Sequence, residues 1–472
     1  MNTEEWVPRK CVLTLVLIFL AALIDGLDAS IVNVSLPTMA DEFKVSLTDS
    51  SWVIFTYVVG LAAFLFPLGK MAKNNRVKKF MMLGTALFGL SSLMCGLSVE
   101  YWELILFRTI QGISAAMMSS VLPSMVVHML PADRKGLGMS VMGASTGLAL
   151  ILGPVVGGAI TEYLTWNWLF FINVPICVII LFLAAYHLPK DDAPDREKDP
   201  SMFGGIAMML LIGSLLVMLE DLGDPDINTI GRIVCGIIAV ASLLVLIRSI
   251  KTDSKKAILS PSVIRNKEYI IVGIAFLLCT IVVSGASYLL PYMLQGYWGL
   301  SSLDSGVYLA VASVAMMIFV IPVGRMCDKF GCKWPSAMAP ILRGAFCIII
   351  SIMVIHETDV IFVAIPLFIY GMSHAFSGTA QPTRMIHHST PGYEDESTNF
   401  MLVVNYVASA LGCALFAMLF GMFSKTGDLL QLAPHELREG FLPTMIFSVV
   451  LLFIALLCTL SVRNIVVKKE EE

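Results

Sequence analysis

Two aspartates, Asp25 and Asp28, stand in the stretch AALIDGLDASIVNVSLP (21–37), inside the first long apolar run of the chain. Three residues apart, they fall close together on one face of a helix. A carboxylate in such a run is costly unless it faces a partner or a cavity. Two such acids can do proton exchange. Each is neutral with a proton and negative without one, and dryness or nearby charge decides which form prevails. The complementary charge is Arg108, in another apolar run. Asp28 lies about eight residues from Pro37 and Arg108 about six from Tyr101, so a rise of 1.5 Å per residue puts both at similar depth. Gln111, one turn beyond Arg108, is placed to orient it. The pair reads in two ways. It is a fixed structural ion pair, or it is a switch in which the approach of Arg108 or a cationic substrate expels a proton from the acid. Asp25, one turn deeper, is a second proton carrier or a hydrogen-bond partner of a neighbouring helix.

Other polar residues within apolar runs are Asn33, Gln295, His374 and Asn405, which with Gln111 form a candidate substrate cavity. His374 titrates near neutrality or serves as a packed hydrogen-bond donor. Arg343, about eight residues into its run, is expected to snorkel toward the nearer surface. Glu220, Asp221, Asp224 and Asp226 form an acidic loop, solvated and attractive to cations. The 28 methionines and 26 phenylalanines suit an adaptable apolar cavity. Ten scattered cysteines read as small packing residues; Cys327 and Cys332 have no second pair to complete a zinc site.

The elements that position these residues follow from composition. The 472 residues are 57% hydrophobic and only 14% charged, with a mean hydropathy of +0.83. A soluble domain is about 25% charged. So much apolar surface is hidden only in lipid, where a span takes ~20 residues, and backbone polarity there makes each span a helix. Fourteen apolar runs fall at roughly 11–36, 49–71, 79–99, 102–129, 136–163, 168–187, 202–221, 230–250, 269–297, 304–327, 335–356, 359–380, 397–423 and 440–463. With the N-terminus in the cytoplasm, only Lys44, Arg232, Lys425 and Arg438 fall outside. Arg108 and Arg343 fall within spans, and the other 25 of the 31 Lys and Arg face the cytoplasm. This bias predicts an N-in, C-in topology. The first run shows no small-residue cleavage site, so no cleavable signal peptide is expected.

The chain repeats itself. GKMAKNNRVKK from Gly69, after span 2, corresponds to GRMCDKFGCKW from Gly324, after span 10. Each has a glycine at a helix end running into a basic turn, as two related six-helix halves would share. Spans 1–6 form one half and spans 9–14 the other. Spans 7 and 8 are an inserted pair, reached through PKDDAPDREKDP (189–200). The expected domains are therefore 1–188, a linker with the inserted pair at 189–267, and 268–472.

At this point a family becomes visible. The chain resembles the major facilitator superfamily, specifically its fourteen-helix drug:proton antiporters of the quaternary-ammonium exporter type. LDASIVNVSLP (27–37), RTIQG (108–112), LGPVVGG (152–158), WNWLFFINVP (166–175) and YLLPYMLQGYWGLSSLDSG (288–306) carry the likeness, in order and on the matching spans. The resemblance implies that Asp28 is the motif aspartate. It also implies that the span 5 motif, with Gly147, Gly153, Pro154, Gly157 and Gly158, packs against the second half and seals the cytoplasmic side. The basic loops imply a cytoplasmic gate built from Gly69, Gly324, Arg325, Asp328, Gly331 and Lys333. The first loop departs from the family pattern, with Lys73 and Arg76 where an aspartate and a glycine are usual.

The sequence holds no phosphate-binding loop, HExxH helix or GxSxG turn, so an enzyme is not expected. No RNA-binding signature points to nucleic acid. The expectation is an all-α polytopic protein of the inner, cytoplasmic membrane. It would act as a monomer without cofactor, exporting amphipathic, cationic small molecules against a proton gradient. The alternative is a proton-coupled transporter of one metabolite.

Overall fold

The computed structural model describes residues 3–73, 76–130, 135–191, 202–220, 229–252, 261–390, 394–424 and 434–465. Most of the linker at 189–200 and the acidic loop from Asp221 lie outside these residues, as do the side chains of Glu220, Lys73 and Asp328.

A helix stands at every one of the fourteen apolar runs. They are α1 (Thr3–Phe43), α2 (Trp52–Lys73), α3 (Val77–Leu97), α4 (Tyr101–Met129), α5 (Lys135–Tyr163), α6 (Asn173–His187) and α7 (Met202–Glu220). The rest are α8 (Thr229–Thr252), α9 (Lys267–Tyr292), α10 (Ser302–Phe330), α11 (Lys333–Ile355), α12 (Ala364–His387), α13 (Glu394–Ser424) and α14 (Pro434–Ser461). Among the described residues, eleven are long and apolar enough to cross a membrane. In α2 and α8 the described apolar stretch is shorter, Trp52–Leu65 and Ile233–Arg248. No membrane helix can leave backbone N–H and C=O groups to lipid, and the intrahelical ladder satisfies them.

Helix ends are set by local chemistry. Asn266 caps α9 by accepting from the Tyr269 amide at 3.2 Å, and Ser301 caps α10 by accepting from the Asp304 amide at 3.1 Å. Glu100 and Glu103 form a reciprocal capping box at the start of α4. Several helices outrun the sequence expectation, two of them at their C-terminal ends by seven residues. Pro37 does not end α1, which continues to Phe43. The chain turns at Lys44, whose φ of 53° is left-handed. The twelfth helix continues beyond residue 380 to His387 and so takes in Arg384.

The chain divides into two compact units. One holds Met1–Phe43, Trp52–Leu215 and Ile230–Ile258; the other holds Lys44–Ser51, Leu216–Thr229 and Leu259–Glu472. The inserted pair α7 and α8 clusters mainly with the first unit. The repeat is explicit in the packing. In the first unit α1 packs on α4, α5 and α6, α4 packs on α2 and α3, and α3 packs on α6. In the second unit α9 packs on α12, α13 and α14, α12 packs on α10 and α11, and α11 packs on α14. Each of these first-unit contacts recurs in the second, where α13 also packs on α14.

Matching glycines hold matching contacts. A Cβ on Gly112 of α4 would run into the Tyr57 carbonyl of α2, and one on Gly371 of α12 would run into the Ala312 carbonyl of α10. A Cβ on Gly157 of α5 would lie 2.6 Å from the Ile31 carbonyl oxygen of α1, and Gly412 of α13 meets Ile281 of α9 in the same way. Small residues let membrane helices approach this closely. Outer faces carry exposed apolar side chains such as Phe182 on α6 and Ile237 and Val240 on α8, the surface that lipid covers in a membrane protein.

Candidate functional site

The first unit brings five helices, α1, α2, α3, α4 and α6, to one buried point. Asp28 of α1 and Arg108 of α4 are both essentially inaccessible, at 0% and 1% exposure. Arg108 Nη1 donates to Asp28 Oδ2 at 2.6 Å. Asp28 Oδ1 accepts from Gln111 Nε2 at 2.9 Å and from Asn173 Nδ2 of α6 at 2.8 Å. Ser92 of α3 accepts from both amides, at 3.0 and 2.9 Å. Arg108 Nε donates to the Val53 carbonyl at 2.9 Å, and Nη1 also reaches Gln111 Oε1 at 2.7 Å. The guanidinium carbon lies 4.4 Å from the centre of the Tyr57 ring and 5.7 Å from that of Phe170. Burying two charges is tolerable only when their remaining hydrogen-bonding sites are filled, and here three donors serve the carboxylate.

Asp25 sits in a different environment. It is partly exposed. Tyr57 donates to its Oδ1 at 2.8 Å and Ser119 of α4 donates to its Oδ2 at 2.7 Å. Both partners are neutral hydroxyls. The two aspartates are thus one buried, hydrogen-bonded ion pair and one partly exposed carboxylate held by hydroxyls alone.

Of the residues singled out in the sequence, Asp28, Arg108 and Gln111 meet directly, and Asp25 joins them through Tyr57. Gln111 belongs to the ion-pair network and is fully buried, so it does not line open space in this state. Asn33 lies on α1, with its Oδ1 buried and without a hydrogen-bond partner. Gln295, His374 and Asn405 belong to the second unit. Gln295 lies in the π-turn Met293–Tyr297 that follows Pro291. His374 has its ring against Tyr370, with centroids 6.2 Å apart.

Arg343 does not snorkel. It is 0% exposed, and its guanidinium donates to the Cys279 carbonyl at 2.8 Å and to Ser377 Oγ at 2.9 Å. Its helix face, not its distance from the helix end, decides the outcome, because that face points at α9 and α12.

The antiporter-motif glycines face α1 within their own unit. Gly153 packs on Ser30 and Gly157 on Ile31; Ser30 Oγ donates to the Ala149 carbonyl at 2.9 Å. Pro154 and Gly158 are buried beside them, and Gly147 is buried nearly two turns earlier. The motif therefore fixes the helix that carries both aspartates. Of the basic-turn residues, Gly69 lies within α2, Gly324 and Arg325 lie within α10, and Gly331 ends α10 with φ +78°. A Cβ on Gly331 would fall 2.5 Å from Asn464 Oδ1, the atom that accepts from the Lys333 amide at 3.2 Å. The turn is thus clasped by the segment after α14.

Sequence reasoning missed Asn173, Ser92, Tyr57 and Ser119 as site residues. Asn173 lay within the quoted WNWLFFINVP stretch, whose polar residue in an apolar context was a usable signal. The two serines carried no signal, since span serines commonly bond their own helix, as Ser91 does to the Leu87 carbonyl.

The second unit repeats the main helix contacts of the first without an aspartate–arginine pair at the matching positions. In the register fixed by the glycine contacts, Leu278 and Leu367 stand where Asp28 and Arg108 stand in the first. Among the described residues, no group of acids, histidines and cysteines could hold a metal ion.

Comparison with known proteins matches this picture. The profile of the Major Facilitator Superfamily matches residues 18–417. The riboflavin transporter RibZ of Clostridioides difficile is 26% identical over 423 residues, 88% of each chain. The multidrug export protein EmrB of Escherichia coli is 28% identical over 68% of this chain and 62% of its own length. The multidrug efflux pump SdrM of Staphylococcus aureus is 26% identical over 88% of this chain and 91% of its own. Among solved structures, a bacterial homologue of the human lysosomal transporter Spinster superposes with a TM-score of 0.68 at 13% identity. It covers 96% of this chain and 97% of its own. A POT family transporter in complex with a thioalcohol-conjugated peptide superposes with a TM-score of 0.69 at 13% identity, over 94% and 95%. At that identity the likeness concerns the fold.

Proposed function

The chain belongs to the Major Facilitator Superfamily, and from that premise we propose that it is a proton-coupled antiporter exporting amphipathic, cationic compounds by alternating access. The observation that carries the reading is the buried Asp28–Arg108 pair, with a second carboxylate on the same helix that has no cationic partner. A carboxylate that exchanges a proton for a cationic guest gives the mutual exclusion that antiport requires. The similarity to EmrB and SdrM favours multidrug substrates.

In this reading all fourteen helices span the inner membrane, both termini are cytoplasmic and the proton gradient supplies the energy. One polypeptide, with lipid and a small-molecule substrate as its only partners, does the work. The strongly asymmetric Lys and Arg distribution supports that orientation. The turn at Gly324, Arg325, Asp328, Gly331 and Lys333 serves as a cytoplasmic gate, with Gly69 at the end of its counterpart.

The similarity to RibZ over 88% of both chains favours a second reading, proton-coupled transport of a single metabolite. Accumulation assays separate the two. Expression in an efflux-deficient host lowers steady-state ethidium fluorescence under the first reading, and an uncoupler restores it. Ethidium levels indifferent to expression, with riboflavin movement responsive to it, would replace the first reading by the second.

A further inference from the structure

Asp28 and Asp25 differ in what a visiting cation would have to displace. At Asp28 it would displace Arg108 at 2.6 Å and two amides, at a point with 0% exposure. At Asp25 it meets a partly exposed carboxylate whose two oxygens each accept one hydroxyl. An anion in a membrane interior without a counter-charge is the group most in need of one.

The two acids are not independent. Tyr57 touches both networks, donating its hydroxyl to Asp25 at 2.8 Å while its ring lies 4.4 Å from the Arg108 guanidinium. Tyr57 is itself fixed, being 2% exposed, with its carbonyl packed on Gly112 of α4. A change at Asp25 that moves the phenol hydroxyl moves an aromatic face against the cation that neutralises Asp28, a cation–π contact strengthened by the absence of water.

We propose that Asp25, with Tyr57 and Ser119, is the exchange site, taking in turn a proton and the positive charge of an organic cation. Tyr57 is the positioning residue that links this site to the Asp28–Arg108 pair. The inference rests on the proposed antiport and assigns its two carboxylates separate tasks. The titratable groups facing Asp25 are Asp28 on its own helix and Tyr57 on α2, and the charge of Arg108 on α4 faces Asp28 and the Tyr57 ring. Against α1, α5 brings Thr146 and Ala149, and α6 brings Asn173 and Cys177; of these only the thiol titrates. The exchange itself is a proton transfer with no redox partner. The acid releases its proton to water as the cation arrives, and the carboxylate remains as the counter-ion.

The test is infrared difference spectroscopy of the whole purified protein between pH 5 and pH 8, with and without tetraphenylphosphonium. In the wild-type protein a buried carboxylic-acid C=O band grows on acidification and is suppressed by the cation. Asp25→Asn removes the band, and Tyr57→Phe keeps it but moves its pH midpoint by about one unit, a tenfold change in proton affinity. A merely structural tyrosine would lower thermal stability without moving that midpoint. A band that persists in Asp25→Asn assigns the exchange to Asp28 and overturns the proposal. So does an unmoved midpoint in Tyr57→Phe for the linking role. The acid band is read without any substrate. If tetraphenylphosphonium leaves an Asp25 band unchanged, cation exchange is refuted. If the cation suppresses the band while vesicle transport fails, only the antiport reading falls.

Discussion

At the scale of single residues, stability and coupling turn on which buried charges keep a partner. Breaking a buried ion pair by removing one partner costs ~3–5 kcal/mol, because the other charge is stranded. Asp28→Asn should therefore fold but melt earlier than the wild type, and lose coupling. Adding Arg108→Gln to Asp28→Asn should recover much of the melting temperature and none of the coupling. A double mutant as unstable as the sum of the singles would show that the pair does not act as a unit. A second residue prediction lies outside the spans. His388 is buried after the end of α12, with Nδ1 3.0 Å from Glu268 Oε2. Burial holds its imidazole below the ordinary histidine range, despite the opposing bond to Glu268. The unfolded chain then binds the proton more readily, so stability is greatest above the ordinary value and falls as pH drops toward the folded one. His388→Gln should flatten the pH dependence of the melting temperature between pH 7 and pH 5; an unchanged slope would remove His388 from that role. The Asp28–Arg108 meeting was legible in the sequence because both residues could be counted from helix ends to one depth. Arg343 was not, because depth alone says nothing of the face on which a side chain lies.

At the scale of elements, helix identity was written in apolar runs, whereas the glycines name their packing partners only in the structure. The runs located fourteen helices because lipid leaves the backbone no other structure. They misjudged lengths where a helix continues past the apolar stretch, as α1 does beyond Pro37 and α12 does to His387. The repeat was visible only in two basic turns, whereas the structure extends it to the main contacts of α1 through α6 with one another, each of which recurs between α9 and α14. Gly112→Ala and Gly371→Ala should each part a helix pair and lower the melting temperature. Gly143→Ala, whose added Cβ meets nothing within 4 Å, should be close to neutral. Equal effects at all three sites would deny the close approach its importance. Orientation is tested by alkaline phosphatase fusions. A fusion after Lys44 should be active, and one after Arg265 inactive. The opposite pair of results would invert the proposed topology.

At the scale of the whole molecule, two units share one helix-packing plan, and among the described residues the buried aspartate–arginine pair stands in the first. The first unit holds Asp28, Arg108 and Asp25 on helices whose contacts are fixed by Gly112, Gly153 and Gly157. The second places Leu278 and Leu367 at the matching positions. A transporter needs a repeated frame for alternating access, but a coupling ion needs only one acid site, and the asymmetry fits that division. The most direct measurement uses purified protein in liposomes with an acid interior, following lumen pH and ethidium movement together. The account predicts that ethidium drives proton efflux, and that this flux disappears in Asp28→Asn. Ethidium movement with no accompanying proton flux, or a proton flux unchanged in Asp28→Asn, would contradict it.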